Sequence, residues 1–271
     1  MEQQLPKRHR TIAIIQARRA ASRLPNKVLL NIGGEPMLVR VVERTQRART
    51  LSDVVVATTL DPSDDEVDAL CQQRGYPCFR GSAMDVLDRY YQAASAFQAD
   101  VVVRITADCP VIDPQVIDEV VTRFLTPLEG DAHAQVGSFP LDFAANRLPP
   151  PWGRTYPIGL DTEVCTYDGL KTAWEEATLP HQREHVMPFF YEQPERFRIL
   201  LVNYREDLGK LRWTVDTPED LELLRQIYAR FDGRDDFSWL EVLALFEREP
   251  ELARLNATVP HKHYRQVDTR R

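Results

Sequence analysis

Little in this 271-residue chain suits a membrane, a disulfide framework or a nucleic-acid partner. No apolar run approaches the ~20 residues that a bilayer-spanning helix needs. The longest candidates, 54–57 and 101–103, are strand-sized. Cysteine is scarce. Cys71, Cys78, Cys109 and Cys165 form neither a CxxC pair nor a zinc-finger spacing, and read as reduced thiols that pack as small hydrophobes. Basic charge is short as well: 34 Lys and Arg face 41 Asp and Glu, a formal net charge of -7. That balance argues against a broad polyanion-binding surface and leaves room for a small phosphate held locally. The basic start Lys7, Arg8, His9, Arg10 precedes an apolar stretch broken at Gln16 and Arg18, too short for a secretion signal, so a cytoplasmic protein is expected. There is no internal repeat, no Walker A loop and no GxGxxG fingerprint.

What is present is the composition of a folded globular protein, 43% hydrophobic and 28% charged, long enough for one large domain or two small ones. The pattern alternates strand and helix. Thr11 to Gln16 is a β-branched buried run, and Leu38, Val41, Val42 and Thr45 then recur at helical spacing. Residues 54–57 give a second strand, and Ser63 with Glu66 reads as a capping box opening a helix to about Arg74. Cys78 and Phe79 are extended, followed by a helical face of Val86, Leu87, Tyr90, Tyr91, Ala94 and Phe97. The fourth strand covers 101–105, and Asp113 with Pro114 caps and starts its helix. Four such units predict an α/β fold, a mostly parallel sheet with helices on both faces.

Beyond Gly130 the regularity weakens. Residues 145–159, with Pro149, Pro150, Pro151, Pro157, Gly153 and Gly159, read as a loop able to cover a site. Strands are expected at 161–166, 198–203 and 211–215, helices at 167–178 and after Thr217-Pro218. A final amphipathic helix carries Trp239, Leu240, Leu243, Leu245 and Phe246, to pack on the same domain or on a second subunit.

In an open α/β sheet, ligands sit beyond the carboxyl ends of the strands. The loop after the first strand, QARRAASRLPNK, is rich in forked and point-charge donors of the kind a triphosphate needs. Asp108 follows the fourth strand and Asp216 a late one; magnesium bound to phosphates takes one or two such carboxylates. Taken singly, each of these features also fits a solvated loop or turn.

In order along the chain, QARRAASRLPNK, VVVATT, FRGSAMDVLDRYYQA, VVVRITADCPVIDP, TYPIGLDTEV, REHVMPFF and RWTVDTPEDL resemble the cytidylyltransferase family of 3-deoxy-manno-octulosonate and acylneuraminate activating enzymes, in the branch named after spore coat polysaccharide biosynthesis protein F. The resemblance runs from about Ile12 to Tyr228. It implies a Rossmann-like nucleotidyltransferase fold, a homodimer, and a magnesium-dependent transfer of CMP from CTP to an acidic sugar with release of pyrophosphate, for surface polysaccharide biosynthesis. By position it assigns Arg18, Ser22, Arg23 and Lys27 to the triphosphate, and Asp108 and Asp216 to the metal. Arg80, Gly81, Ser82 and Asp85 fall to the nucleoside, and Asp161, Glu163, Arg183 and His185 to the acceptor. The organisation expected is a basic tail at 1–10, a nucleotidyltransferase domain at 11–230 split near 140 into nucleotide and acceptor halves, and a helical extension at 231–271. Ala20, Asn26 and Ala107 stand where close relatives usually have glycine; the added side chain narrows the room for a phosphate and disfavours a positive φ, which Asn tolerates better than Ala.

Three alternatives compete. A glycosyltransferase would use a nucleotide-sugar on a related fold, and a descendant that only binds nucleotide would keep the loop without turnover. His181-Gln182-Arg183-Glu184-His185 matches the inverted zinc-peptidase motif, although Pro188 shortens any helix there. His261 and His263 read as solvated.

Overall fold

The computed structural model describes residues 9–21, 23–126, 139–260, 265 and 267. Its centre is β1 (Thr11–Gln16), whose Ile12, Ala13, Ile14 and Ile15 are all fully buried. A strand apolar on both faces needs helices on both sides, and period-two alternation divides its side chains between them. Ala13 and Ile15 join one core with helices α1 (Met37–Gln46), α2 (Asp65–Arg74), α4 (Pro114–Leu125), α8 (Pro218–Arg230) and α9 (Trp239–Arg248). Ile12 and Ile14 join the other with α3 (Val86–Ala96), α5 (Tyr167–Glu176) and α7 (Pro188–Tyr191).

Around β1 the sheet is completed by β2 (Asp53–Thr59), β3 (Cys78–Gly81), β4 (Val101–Thr106), β5 (Phe143–Ala145), β6 (Glu163–Thr166) and β7 (Ile199–Leu201). The order is β7-β5-β6-β4-β1-β2-β3. Strands β4, β1, β2 and β3 run parallel, with Gln16 level with both Ala57 and Thr106. Only β6 is antiparallel to its neighbours in this sheet, and it sets Glu163 opposite Arg104. The parallel half therefore opens its loops at one edge, while β6 starts at that edge and brings residues 161–163 to it.

Local chemistry accounts for the helix starts. Asp113 accepts from Gln115 N (2.8 Å) ahead of Pro114, and Thr217 with Asp220 forms a full capping box on α8. The capping box expected at Ser63 and Glu66 is absent: Asp61 caps a 3-10 turn, Pro62–Asp64, by accepting from Ser63 N (2.8 Å). Pro62 takes the first helical position, which leaves Ser63 inside the turn, and Glu66 pairs with Arg19.

Residues 211–215 do not join the sheet. Arg212 makes an isolated bridge with Ile158, and Val215 N donates to the Asp108 carbonyl (2.8 Å), so the segment crosses the strand ends. It packs so closely on Gly159 (φ +108°) that a Cβ there would lie 2.6 Å from the Trp213 carbonyl carbon. Within 145–159, Arg147–Leu148 pairs with Gly153–Arg154. On α9, Leu240 is exposed rather than inward, the buried set being Trp239, Val242, Leu245 and Phe246. The helix packs on this chain's own core, Trp239 against Tyr156 and Tyr204, and Phe246 against Trp213.

Candidate nucleotide and acceptor site

The loop after β1 is tied down at both ends. Ala17 N donates to the Ala57 carbonyl (3.1 Å), Arg19 N to Asp64 Oδ1 (2.7 Å), and Asn26 N to the Arg19 carbonyl (3.0 Å). The Arg19 side chain turns outward to Asn26 Oδ1, the Ser63 carbonyl and Glu66, so it staples the loop. Arg18, Arg23 and Lys27 line the cavity instead. Asn26 adopts the left-handed conformation (φ 60°), the one position of the three glycine replacements where φ is positive; Ala20 and Ala107 carry no such strain.

Lys27 is the hub of the site. Its Nζ donates to Asp108 Oδ2 (2.8 Å), Asp216 Oδ1 (2.9 Å) and the Val215 carbonyl (2.8 Å). Burial alone would lower the Lys27 pKa, but the two carboxylates outweigh it and raise it. Asp216 Oδ2 also takes Arg23 (2.8 Å) and Arg212 (2.8 Å). Burial opposes ionisation of Asp216, yet Lys27, Arg23 and Arg212 hold its carboxyl well below the usual range. Asp108 is fixed by Thr106 Oγ1, which donates to its Oδ1 (2.6 Å), while Thr214 Oγ1 donates to its backbone carbonyl (3.0 Å).

Two carboxylates and a carbonyl oxygen thus already converge on one cation. Hard oxygen donors of this kind suit magnesium, which takes one or two carboxylates and completes its shell with phosphate and water. No group of three or more His, Cys, Asp or Glu capable of holding a metal occurs among the described residues, so the protein's share would be Asp108 and Asp216.

From this corner a cavity of about 560 Å³ extends past Thr106, Cys109 and Thr214 to a second cluster of charges. There Arg154 grips Asp161 with two hydrogen bonds (2.9 and 3.2 Å), and Arg147 Nε lies 3.6 Å from the same carboxylate. Arg104 pairs with Glu163 and donates from Nε to Gln16 Oε1 (3.2 Å). Tyr191, Glu184 and His185 close this end, and burial pushes the Tyr191 phenol up. Burial likewise pushes the Cys109 thiol up; all four cysteines are free, three of them buried.

A cytidylyltransferase family profile matches residues 12–248. The chain belongs to the cytidylyltransferase family. Among solved structures, a cytidylyltransferase from Leptospira borgpetersenii is 31% identical, with a TM-score of 0.82 over 93% of this chain and 100% of its own. The spore coat polysaccharide biosynthesis protein SpsF of Bacillus subtilis is 29% identical over 89% of this chain and 95% of its own length. A CMP:2-keto-3-deoxy-manno-octonic acid synthetase complexed with CTP, 21% identical with a TM-score of 0.59 over 82% of this chain and 99% of its own, shares the fold.

In this cytidylyltransferase, the residues singled out by resemblance divide into two groups. Arg18, Arg23, Lys27, Asp108, Asp216, Asp161, Glu163 and His185 line the one cavity. Arg80, Gly81, Ser82, Asp85 and Arg183 do not line it. Arg80 donates to the Thr59 carbonyl (2.9 Å) and to Asp65 (2.7 Å). Asp85 caps α3 by accepting from Asp88 N (2.9 Å) and pairs with Arg183 Nε (2.9 Å). Ser22, His261 and His263 lie outside the described residues.

Sequence reasoning missed Arg89, Arg104, Arg147, Arg154 and Tyr191, all of which line the cavity. Arg104 carried a readable signal, a charge inside the otherwise apolar run VVVRIT. The zinc-peptidase motif does not assemble. His181 Nε2 bonds to Glu192 (2.9 Å) beside a different cavity, while His185 faces the main one, and α6 (Pro180–His185) ends at Val186 with φ 69°.

Proposed function

We propose that the protein transfers CMP from CTP to an acidic sugar or related acceptor, with magnesium required and pyrophosphate released. The observation that carries this reading is the single cavity joining the Lys27–Asp108–Asp216 corner to the Arg104, Arg147, Arg154, Asp161 and Glu163 cluster. An acceptor hydroxyl at the second cluster attacks the α-phosphorus of CTP, in line with the departing pyrophosphate. Arg18, Arg23 and Lys27 neutralise charge on the leaving group, so the protein's contribution is chiefly positioning and electrostatic stabilisation. Asp108 and Asp216 would hold magnesium, which supplies charge neutralisation at the phosphates. Asp161 and Glu163 suit hydroxyl or amine groups of the acceptor, and the facing arginines suit its carboxylate or phosphonate.

The decisive test is a pyrophosphate-release screen crossing four nucleoside triphosphates with 2-keto acid sugars, sugar phosphates and phosphonates. Release confined to CTP with an acidic acceptor supports the reading; nucleotide-sugar turnover in its place would overturn it. No helix of the described residues is long and apolar enough to cross a membrane. A cytoplasmic homodimer is the assembly we infer, from the family resemblance and the apolar second half, and a monomer mass by light scattering at micromolar concentration would refute it.

A further inference from the structure

The end of α6 is an uncommon turn. Val186 has φ 69° and ψ -58°, and Met187 N donates to the His185 carbonyl (2.8 Å), closing a ring around Val186. This is the γ-turn with positive φ, the rarer and strained of the two forms. Among the described residues, Asn26, Gln98 and Asp232 are the other non-glycine residues with positive φ. Those three are exposed and unbranched at Cβ, whereas Val186 is fully buried and branched. A branched side chain in that region is an outlier that persists only where its surroundings over-determine it.

The surroundings hold the turn from both sides. Val186 N donates to the Gln182 carbonyl (3.0 Å), and the Val186 side chain joins Met187 and Phe190 in the core shared with α3 and α5. Just before the turn, Arg183 donates from Nε to Asp85 Oδ2 (2.9 Å) and Oδ1 (3.1 Å), and from Nη1 to the Trp174 carbonyl (2.6 Å), which fastens α6 to the start of α3. Glu184 and His185, held between this clamp and the turn, line the main cavity. Glycine would take φ 69° without strain, but it would also leave the turn free to open. The buried, branched residue fixes the direction in which His185 leaves the backbone. Strain stored beside a cavity residue points to function at that residue, since a misplacement of about 1 Å near a reacting centre costs on the order of a hundredfold in rate.

We propose that Val186 is a positioning residue: its turn holds the His185 imidazole at the acceptor end of the cavity, against a polar group of the acceptor. The assignment rests on the transfer reading above and extends it to a residue that itself touches no substrate.

Two measurements test it. In urea unfolding, Val186→Gly should have a higher midpoint than Val186→Ala, because only glycine accepts the positive φ freely; at an unstrained position the order is the reverse. Pyrophosphate release with CTP, magnesium and 3-deoxy-manno-octulosonate, or the fastest acceptor of the screen where that differs, then reads the role of the turn. Val186→Gly should raise the acceptor KM at least tenfold and leave the CTP KM within twofold of wild type, as should His185→Ala. If Val186 acts through His185, adding Val186→Gly to His185→Ala should change the acceptor KM less than twofold further, which a general loosening of the fold would not reproduce. Val186→Ala, expected to raise the acceptor KM at least threefold, serves the same cycle should Val186→Gly not fold. An acceptor KM that the Val186 variants leave unmoved, an equal rise for CTP, a full effect persisting in the His185→Ala protein, or the lower urea midpoint for glycine overturns the proposal while leaving the CTP reading intact. A wild-type protein that releases no pyrophosphate from CTP with any acceptor of the screen overturns both.

Discussion

Asp216 is held by three cations, Lys27, Arg23 and Arg212, whereas Asp108 shares only Lys27 with it. Removing either carboxylate breaks the convergence on which both the lysine and a metal depend. Asp108→Asn and Asp216→Asn should each abolish most magnesium-dependent turnover with circular dichroism unchanged. The double variant should be little worse than either single one, because groups acting as a unit are strongly non-additive. Lys27→Ala should slow pyrophosphate release at least a hundredfold, since a lost contact to transition-state charge costs about 3 kcal/mol. A rate within threefold of wild type would remove Lys27 from the assigned role.

The start of α8 binds two elements together through one buried side chain. Asp220, fully buried, accepts from Arg212 Nε (2.9 Å), Asn256 Nδ2 (2.8 Å) and the backbone N–H groups of Asp216 (2.9 Å) and Thr217 (3.1 Å). It anchors residues 211–216 at the strand ends and so positions Asp216. Asp220→Ala should cost about 3–5 kcal/mol in urea unfolding, the usual penalty for leaving a buried partner uncompensated. The Thr217-Pro218 start was readable locally, because a capping residue and a proline at the first helical position act within one turn. Ser63 with Glu66 misled because the same local rule offered two solutions and Asp61-Pro62 won.

Across the molecule, Arg40 and Arg44 of α1, and Arg47 just beyond its end, reach the segment between α8 and α9. Arg47 pairs with Asp235 (2.6 Å) and Arg40 approaches it (3.6 Å). Burial would raise the Asp235 carboxyl, but these arginines lower it below the ordinary value. A depressed folded-state pKa contributes stability that is present above the unfolded value, about 3.9, and is lost as pH falls through the folded one. Asp235→Asn should therefore cost about 1 kcal/mol at pH 7 in urea unfolding, with the difference closing below about pH 4. A penalty that persists undiminished in acid would mean the residue acts by packing alone.

The alternation of strand and helix, the doubly covered parallel core and the basic loop after β1 were legible because each is written in short-range signals: side-chain periodicity, caps and turn residues. The cavity is not local in that sense. Lys27 meets Asp108 across 81 positions and Asp216 across 189, a convergence created by strand order and by the crossing segment that the alternation had suggested was a strand. Arg80 and Arg89 show the same limit between two residues of one type. Position along the chain pointed to Arg80, yet the carbonyls of Thr59 and Asp61 hold it outside the cavity, while α3 lays Arg89 against the cavity wall over a glycine. The amino-acid pattern determined which side chains could bind phosphate and sugar; packing decided which of them face the same space, because direction in space depends on register and helix placement that no short window encodes.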